Sequence, residues 1–399
     1  MPYRCRRQSP GRTLVSMGSM PAKPGVPMMA RMRVMPGMPA LQARPVMRRM
    51  RPVFMPALLL VLLALILASC GGSSPPAGGA AAGTGQNAAG SGEALPEVVR
   101  LDYAYYSPIS LVLRELGWME EAFARDGVEV EWVLSLGSNK ANEHLASHTV
   151  DFASTAGSAA LMARANGVPL QTVFIYGQPE WTALVAAAGS DIDEVADLRG
   201  RRIAATRGTD PYFFLLRSLD AAGLSQDDVE IVHLQHPDGM TALTAGQVDA
   251  WAGLDPHMAQ AELDAGARLF YRRHAWNTYG FLNVLESYAQ QYPHVVERVL
   301  RVYERGRRWV LEHPEDTIRI LSEASGVTPE VARRVLEERY AFPSPVPGEE
   351  QEEALRGILS ILRKEELVPA DVDLEETLAG LLEPSFAQRA LQDLEAEAQ

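Results

Sequence analysis

The stretch VDFASTAGSAALMARANGVPLQTVFIY at residues 150–176 decides the fold. Its first part, residues 150–154, is a short segment typical of a strand. Residues 157–166 have a helical pattern, and residues 170–176 are again typical of a strand. A strand, a helix and a second strand in succession predict parallel strands, because the crossover returns the chain to the same end of the sheet. The stretch therefore predicts an α/β fold.

The same alternation continues on both sides of this stretch. Val128, Val130, Trp132 and Leu134 alternate with polar residues, which predicts a strand. The other predicted strands lie at 98–105, 182–188, 202–205, 229–234, 248–253 and 278–285. The predicted helices lie at 110–125, 139–148, 209–222, 239–246 and 256–266, and residues 293–399 are largely helical.

Two runs of this alternation predict two α/β lobes with a helical C-terminal extension. Lobe 1 takes residues 96–180 and 282–399, and lobe 2 takes residues 181–281. The chain crosses between them twice, at 178–185 and 276–284. Ligands of open α/β sheets lie beyond the carboxyl ends of the strands. We therefore expect both sets of strand ends to face one cleft that closes around a ligand.

Charge divides the chain near residue 70. Residues 1–69 carry eleven Lys or Arg and no Asp or Glu, whereas the rest of the chain carries 26 basic and 50 acidic side chains. Binding to nucleic acid needs clustered basic residues. The acidic remainder therefore argues against a nucleic-acid partner.

An export signal precedes the globular part. Three arginines within 48–51 are followed by the apolar run 57–68, which is the order typical of a secretory signal. The run ends in LASC at 67–70, which resembles a bacterial lipobox and predicts that Cys70 is acylated. A spanning helix is the alternative, but the run is shorter than the ~20 residues that such a helix needs.

The signal also sets expectations for the start of the chain and for its location. A start at Met47 gives a signal of ordinary length and leaves residues 1–46 without a role. The residues after Cys70, up to 95, are rich in Gly, Ala, Ser and Pro, and they predict a flexible tether. We expect a periplasmic or cell-surface lipoprotein, anchored to the membrane by the lipid on Cys70.

Five segments carry a family resemblance. They are GSNKANEHL (137–145), VDFASTAGSAAL (150–161), PEWTALV (179–185), DLRGRRIAATRGTDPYFFL (197–215) and VDAWAGLDP (248–256). Together they resemble the aliphatic sulfonate, taurine and nitrate branch of ABC transporter substrate-binding proteins. The resemblance implies the periplasmic-binding-protein type II fold and capture of a small organic anion for an ABC permease and ATPase complex. It implies no catalysis and no cofactor, and we expect a monomer.

Candidate ligand-binding residues in lobe 1 follow its predicted strands. Ser154 and Thr155 come just before a helix, where N–H groups and the helix dipole favour an anion. Ordinary N-capping is the alternative for both residues. Polar and aromatic side chains at other strand ends offer contacts for the head and tail of an organic ligand. These further candidates are Tyr106, Ser107, Ser138 and Asn139.

Residues 207–210 repeat this arrangement in lobe 2. Gly208 permits a tight turn, and Thr209 or Asp210 caps the following helix. Arg207 offers a bidentate contact to a sulfonate or carboxylate, although its position is equally typical of a surface arginine. Asp210 is expected to cap the helix or to bind an amino group of the ligand.

Three further candidates lie at the first crossing and at another strand end. Trp181 and Thr182 lie at the crossing, where the ring covers the apolar part of a ligand or packs the hinge. Asp255 follows a predicted strand of lobe 2. It either caps the next helix or binds an amine or hydroxyl of the ligand.

Other classes of function stay open at this point. Pyrimidine synthases of thiamine biosynthesis share the implied fold but use a Cys-rich iron segment, and this chain has only Cys5 and Cys70. The sequence contains no P-loop, GxGxxG, HExxH or CxxC motif, and no His spacing that predicts a metal site. A same-fold enzyme and a sensory lipoprotein remain alternatives to a transport protein. Nitrate, taurine and a thiamine pyrimidine precursor remain alternatives to an aliphatic sulfonate.

Overall fold

The structure is a computed structural model that describes residues 94–397. The predicted signal segment 1–69, the predicted lipidation site Cys70 and nearly all of the predicted tether lie outside the described residues. None of the helices within residues 94–397 is long and apolar enough to cross a lipid bilayer.

The strands of the described part form two sheets. They are β1 (Val98–Tyr103), β2 (Glu129–Leu134), β3 (Phe152–Ala156), β4 (Leu170–Pro179), β5 (Leu184–Ala186), β6 (Arg202–Ala205), β7 (Glu230–His233), β8 (Ala250–Ala252), β9 (Arg268–Tyr271), β10 (Gly280–Leu285) and β11 (Tyr340–Ala341).

The first sheet has the strand order β11-β4-β10-β3-β1-β2. β1 pairs in parallel with β2 and β3. β10 returns from the second half of the chain and pairs antiparallel with both β3 and β4. β3 and β4 therefore point the same way, as the helix between them predicts, but a returning strand separates them.

The second sheet has the order β7-β6-β8-β5-β9. β6 pairs in parallel with β7 and β8, and β5 pairs antiparallel with β8 and β9. The sequence pattern predicts neither β9 nor β11. Both are short and lie at sheet edges, where backbone pairing does not require a clean alternation of apolar side chains. Two α/β sheets confirm the predicted fold class.

Helices surround both sheets. They are α1 (Pro108–Leu116), α2 (Trp118–Phe123), α3 (Ser138–Ala146), α4 (Gly157–Ala165), α5 (Asp210–Ala221), α6 (His236–Thr244), α7 (His257–Ala265), α8 (Glu286–Gln291), α9 (Pro293–Glu312), α10 (Pro314–Ser325), α11 (Pro329–Glu338), α12 (Glu349–Lys364), α13 (Leu374–Ala379) and α14 (Ser385–Glu397).

Two helices differ from their predicted bounds. The helix predicted at 110–125 is divided between α1 and α2, because Gly117 takes a left-handed conformation with φ 65°. The helix predicted at 239–246 begins at His236, since Pro237 fits the first turn of α6. His236 therefore lies at a helix start.

Two chain segments connect the two sheets. The first follows β4 and leads into β5, and the second follows β9 and leads into β10. The C-terminal helix α12 packs against α4 beside the first sheet and against α5 beside the second. Leu355 and Ile358 of α12 belong to the same apolar core as Leu161 of α4 and Phe213 of α5. The predicted helical extension thus covers both halves of the molecule.

Candidate functional site

A small void lies where the two sheets and their helices meet. Its empty volume is about 190 Å³, of which water could occupy about 10 Å³, room for roughly one molecule. Five of its lining residues were candidates from the sequence, including Tyr106 from the first half and Thr209 from the second. The lining residues are Tyr106, Ser138, Ala156, Trp181, Thr209, Asp210, Pro211, His236 and Leu254.

Four helices begin at this void. Ser138 opens α3, and Ala156 is the residue before α4, so both helices start on the first-sheet side. Asp210 opens α5 and His236 opens α6 on the second-sheet side. The first N–H groups of a helix lack helical acceptors, and the helix dipole is positive at that end. Dipoles from both sides therefore favour negative charge in the void.

Asp210 is fully engaged within the protein. Its Oδ1 accepts hydrogen bonds from Ser158 Oγ at 2.6 Å and Thr278 Oγ1 at 2.9 Å. Its Oδ2 accepts from Trp181 Nε1 and from Thr278 N, both at 2.8 Å. The carboxylate thus joins α4, α5 and both connecting segments. It borders the void, but its four hydrogen bonds make it a structural joint.

Tyr106 and Trp181 form an aromatic wall of the void. Their rings meet edge to face, with centroids 6.0 Å apart and planes at 87°. The hydroxyl of Tyr106 donates to the carbonyl oxygen of Ser154 at 3.1 Å. Burial raises the pKa of Tyr106 well above its ordinary value, and Asp102 adds to the shift. Both rings are therefore held by polar contacts at one end and leave apolar faces along the boundary.

Three candidate hydroxyl groups on the first-sheet side differ in what they can still bind. Ser138 Oγ accepts from Ala156 N at 2.9 Å, so the hydroxyl proton remains available for another acceptor. Thr155 Oγ1 accepts from Asn283 Nδ2 at 2.8 Å and belongs to the sheet interior. Ser154 Oγ is buried and makes no hydrogen bond within the described part of the chain. Ser138 is the one of the three that lines the void.

Asp102 lies on β1, next to Ser154 on the neighbouring strand β3. The backbone N–H of Ser154 donates to its Oδ1 at 2.8 Å, whereas its Oδ2 is buried and, within residues 94–397, makes no hydrogen bond. Burial raises the pKa of Asp102 to about 7, and the hydrogen bond from Ser154 only partly opposes this shift. Asp102 is not among the candidate residues predicted from the sequence. The available signal was a carboxylate inside the predicted strand 98–105, since charged side chains are seldom buried.

Arg207 and Gly208 have different surroundings. The side chain of Arg207 is exposed and does not border the void. Gly208 has φ 78°, a left-handed conformation that favours glycine. A Cβ there would lie 3.3 Å from Met162 Cε and 3.6 Å from Asn139 Cβ, both on the first-sheet side. Gly208 thus permits close contact between the two halves.

Asp255 lies at a neighbouring void. It pairs with Arg339, whose Nη1 is 3.1 Å from Oδ1 and 3.2 Å from Oδ2, and it accepts from Ala259 N at 2.9 Å. Arg339 also pairs with Glu262 of α7. Burial raises the pKa of Asp255 to about 6, although Arg339 lowers it. Asp255 therefore caps α7 and joins it to the end of α11.

Thr182 and Ser107 lie inside the protein. Thr182 N donates to Asn277 Oδ1 at 2.9 Å, which ties the two connecting segments together. Ser107 is the N-cap residue of α1 and is buried. The hydroxyl oxygens of Ser107 and Thr182 make no hydrogen bond among the described residues, and neither residue lines the 190 Å³ void.

His236 also lines the void. It is fully buried, and its Nδ1 lies 3.2 Å from Thr206 Oγ1. Its Nε2 makes no hydrogen bond within the described residues. Burial lowers the pKa of His236 to about 3, and His257 adds to the shift. The available signal was a histidine at a strand end followed by Pro237.

Comparison with known proteins identifies the family of this chain. The model of the family described as NMT1/THI5 like matches residues 110–317, just over half of the chain. The chain belongs to the NMT1/THI5-like family. The matched residues include both connecting segments and all of the second sheet.

Relatives agree with this membership. A protein of Bacillus subtilis (strain 168) described as aliphatic sulfonates-binding is 27% identical over 258 residues, which is 64% of this chain and 78% of that protein. A protein of Escherichia coli (strain K12) with the same description is 25% identical over 288 residues, 72% of this chain and 90% of the relative.

A solved structure shows the same fold. The alkanesulfonate-binding protein SsuA from Xanthomonas axonopodis pv. citri, bound to MOPS, is 26% identical with a TM-score of 0.65, and the match covers 71% of this chain and 98% of that one. The NMT1/THI5-like chain therefore has the predicted type II binding fold. Its predicted similarity to the sulfonate branch of ABC substrate-binding proteins is confirmed.

Proposed function

We propose that this protein is the extracytoplasmic solute-binding component of an ABC importer and captures an aliphatic sulfonate or a similar small organic anion. The observation that carries the proposal is the meeting of four helix N-termini, two from each side, at one void. Helix N-termini stabilise anions through the helix dipole and through N–H groups that have no other acceptor. At α4 the dipole is the contribution, because Gly157 N and Ser158 N already donate to Tyr279 O and Thr278 Oγ1. A sulfonate presents three oxygens, which suits donors that arrive from several directions.

The apolar wall supports an organic anion. The rings of Tyr106 and Trp181 border the same void as the helix starts. Sulfonate oxygens would face the helix starts, and the carbon chain would face the rings. The relatives described as sulfonate-binding support this choice of ligand over nitrate, which has no carbon chain. Opening of the two halves about the connecting segments would admit the ligand.

Location and delivery complete the proposal. Acylation of Cys70 would hold the protein on the membrane, and residues 71–94 would let the binding domain reach a permease and ATPase complex. Residues 96–180 and 282–399 would form one lobe, and residues 181–281 would form the other. The two lobes would close on the ligand. We propose that the protein acts as a monomer and that the ligand leaves chemically unchanged.

The test is a ligand titration of the purified protein with straight-chain alkanesulfonates of two to eight carbons. A ligand that binds the folded state alone raises the midpoint of thermal unfolding, by an amount that follows RT ln(1 + [L]/Kd). We expect a rise for at least part of this series and a smaller rise for neutral alcohols of the same length. No rise with any sulfonate at millimolar concentration would remove the proposed ligand class, and turnover of a sulfonate would revive the enzyme alternative.

A further inference from the structure

The protonation state of the His236 ring follows from its partner. Thr206 Oγ1 donates its single proton to the carbonyl oxygen of Leu234 at 2.6 Å. Toward His236 Nδ1 it can then only accept, so Nδ1 carries the ring proton. Nε2 of the neutral ring is left with a lone pair and is an acceptor. The low pKa of His236, about 3, agrees with a neutral ring at physiological pH.

A second unpartnered acceptor approaches the same place from the first-sheet side. Asn139 Oδ1 is buried and makes no hydrogen bond within residues 94–397. A Cβ built on Gly137 would lie 2.8 Å from Asn139 Oδ1 and 3.1 Å from His236 Nε2. The two acceptors therefore converge on one point beside Gly137. Gly137 has an extended backbone with φ 173°, so the point is kept clear because glycine has no side chain.

Two buried acceptors that face one point are costly unless a donor reaches them. His236 lies on α6 of the second half, and Asn139 lies on α3 of the first, so the pair spans the boundary that closure would create. Charged and titratable neighbours do not supply the missing donor. Asp210, which lines the same void, is an acceptor with four hydrogen bonds, and His257 faces His236 without a hydrogen bond between them.

We propose that His236 and Asn139 form an acceptor pair that selects organic anions carrying an O–H or N–H donor. This inference rests on the proposed function, because the helix N-termini still receive the anionic group. It replaces the earlier expectation that Asp210 or Asp255 recognises an amine, since both carboxylates are engaged within the protein. A ligand without a donor leaves both acceptors buried and unsatisfied when the halves close.

The experiment compares three sulfonates of one length by calorimetry on the purified protein: ethanesulfonate, 2-hydroxyethanesulfonate and 2-aminoethanesulfonate. We expect the two donor-bearing ligands to bind at least about tenfold more tightly than ethanesulfonate, because a buried acceptor without a donor is penalised. Equal affinities, or tighter binding of ethanesulfonate, would overturn the acceptor pair while leaving the proposed function intact. If none of the three binds, the inference fails, and the proposed function fails with it only if no alkanesulfonate of two to eight carbons binds either.

Variants at both acceptors separate recognition from folding. Asn139→Leu removes one acceptor at nearly constant size, and His236→Phe removes the other. In each variant we expect the preference for the donor-bearing ligands to fall several-fold. Asn139→Asp keeps acceptor oxygens and should retain the preference for the amine. If the preference survives in Asn139→Leu and His236→Phe alike, the pair does not recognise the donor.

Calorimetry in two buffers of different ionisation enthalpy gives a readout that a structural role would not change. An acceptor His236 takes up no proton when ethanesulfonate or its hydroxy analogue binds. Proton uptake that disappears in His236→Phe would mean that the ring donates to the anion, and that result would overturn the proposal.

Discussion

Asp210 and Asp102 are both buried carboxylates near the meeting of the two halves, and their surroundings are opposite. Asp210 accepts four hydrogen bonds, which use both oxygens. Asp102 accepts one from the backbone, and its Oδ2 makes none within the described part of the protein. A buried charge is stable when donors replace its water, and costly otherwise.

This difference separates a structural joint from a titratable group. The donors around Asp210 come from α4 and from both connecting segments, so its contacts fix how the halves are linked. Asp102 has the hydroxyl groups of Ser135, Ser154, Tyr106 and Tyr303 as polar neighbours, and no cation is among the causes of its pKa shift. Asp255 lies between these extremes, since one arginine compensates it. Substitution of each carboxylate, or of its partner, should show that Asp210 is the best compensated of the three, Asp255 the next and Asp102 the least.

Removing Asp210 should have the largest effect. We expect Asp210→Ala to lower the free energy of unfolding by about 3–5 kcal/mol, because Ser158, Trp181 and Thr278 keep buried donors without an acceptor. Urea unfolding at neutral pH measures the change. Asp264→Asn, at an exposed position, is the control and should change stability by less than about 0.5 kcal/mol. A loss below about 1 kcal/mol for Asp210→Ala would mean that the four hydrogen bonds to Asp210 do not stabilise the folded protein appreciably.

Removing Arg339 should leave Asp255, like Asp102, as a buried carboxylate without a neighbouring cation. We expect Arg339→Met to cost about 2–3 kcal/mol at pH 8, because a buried carboxylate then lacks its cation. Burial already raises the pKa of Asp255 to about 6, and loss of the cation raises it further. The cost should therefore shrink at pH 5, where Asp255 becomes protonated.

Urea unfolding of Arg339→Met at the two pH values tests this expectation. Arg333→Met is the matched control, because Arg333 pairs with Glu315 and Glu337 on the exposed surface, where ion pairs contribute little to stability. A cost that is equal at pH 5 and pH 8 would show that Arg339 acts through packing rather than through the charge of Asp255.

The general architecture was accessible from the sequence because it follows from local patterns. Alternation of strand and helix segments predicts two α/β sheets, and the small residues after β3 predict a helix start at Gly157. Void-lining positions such as Ser138 and Thr209 follow directly, because strand ends and helix starts lie at the same edge.

Contacts between distant segments were not accessible in this way. Nothing local to β3 or β4 indicates that β10 inserts between them. Arg339 meets Asp255 across 84 positions of the chain, and no pattern links the two residues. The burial of His236 and the four donors of Asp210 depend likewise on how the halves meet. Sequence therefore located the edge of the site but not which side chains remain free there.

Asp102 offers the sharpest contrast with Asp210, because its contribution to stability changes with pH. Burial raises its pKa from 3.8 to about 7 in the folded protein. The folded state then binds a proton that the unfolded state has lost, so this group's contribution to stability is full below pH ~4 and is lost as the pH rises to ~7. The loss amounts to about 1.4 kcal/mol per pH unit within that window.

Asp102→Asn should remove this dependence. Asparagine keeps an acceptor for Ser154 N and adds an amide donor toward Ser154 Oγ and Tyr303 Oη, both of which lack hydrogen bonds within residues 94–397. We expect the stability of the variant, relative to the natural protein, to rise steadily between pH 4.5 and pH 7. Urea unfolding at four pH values, with Asp264→Asn alongside, measures the difference. Parallel curves for all three proteins would show that Asp102 is compensated as well as Asp210, and the contrast between the two carboxylates would disappear.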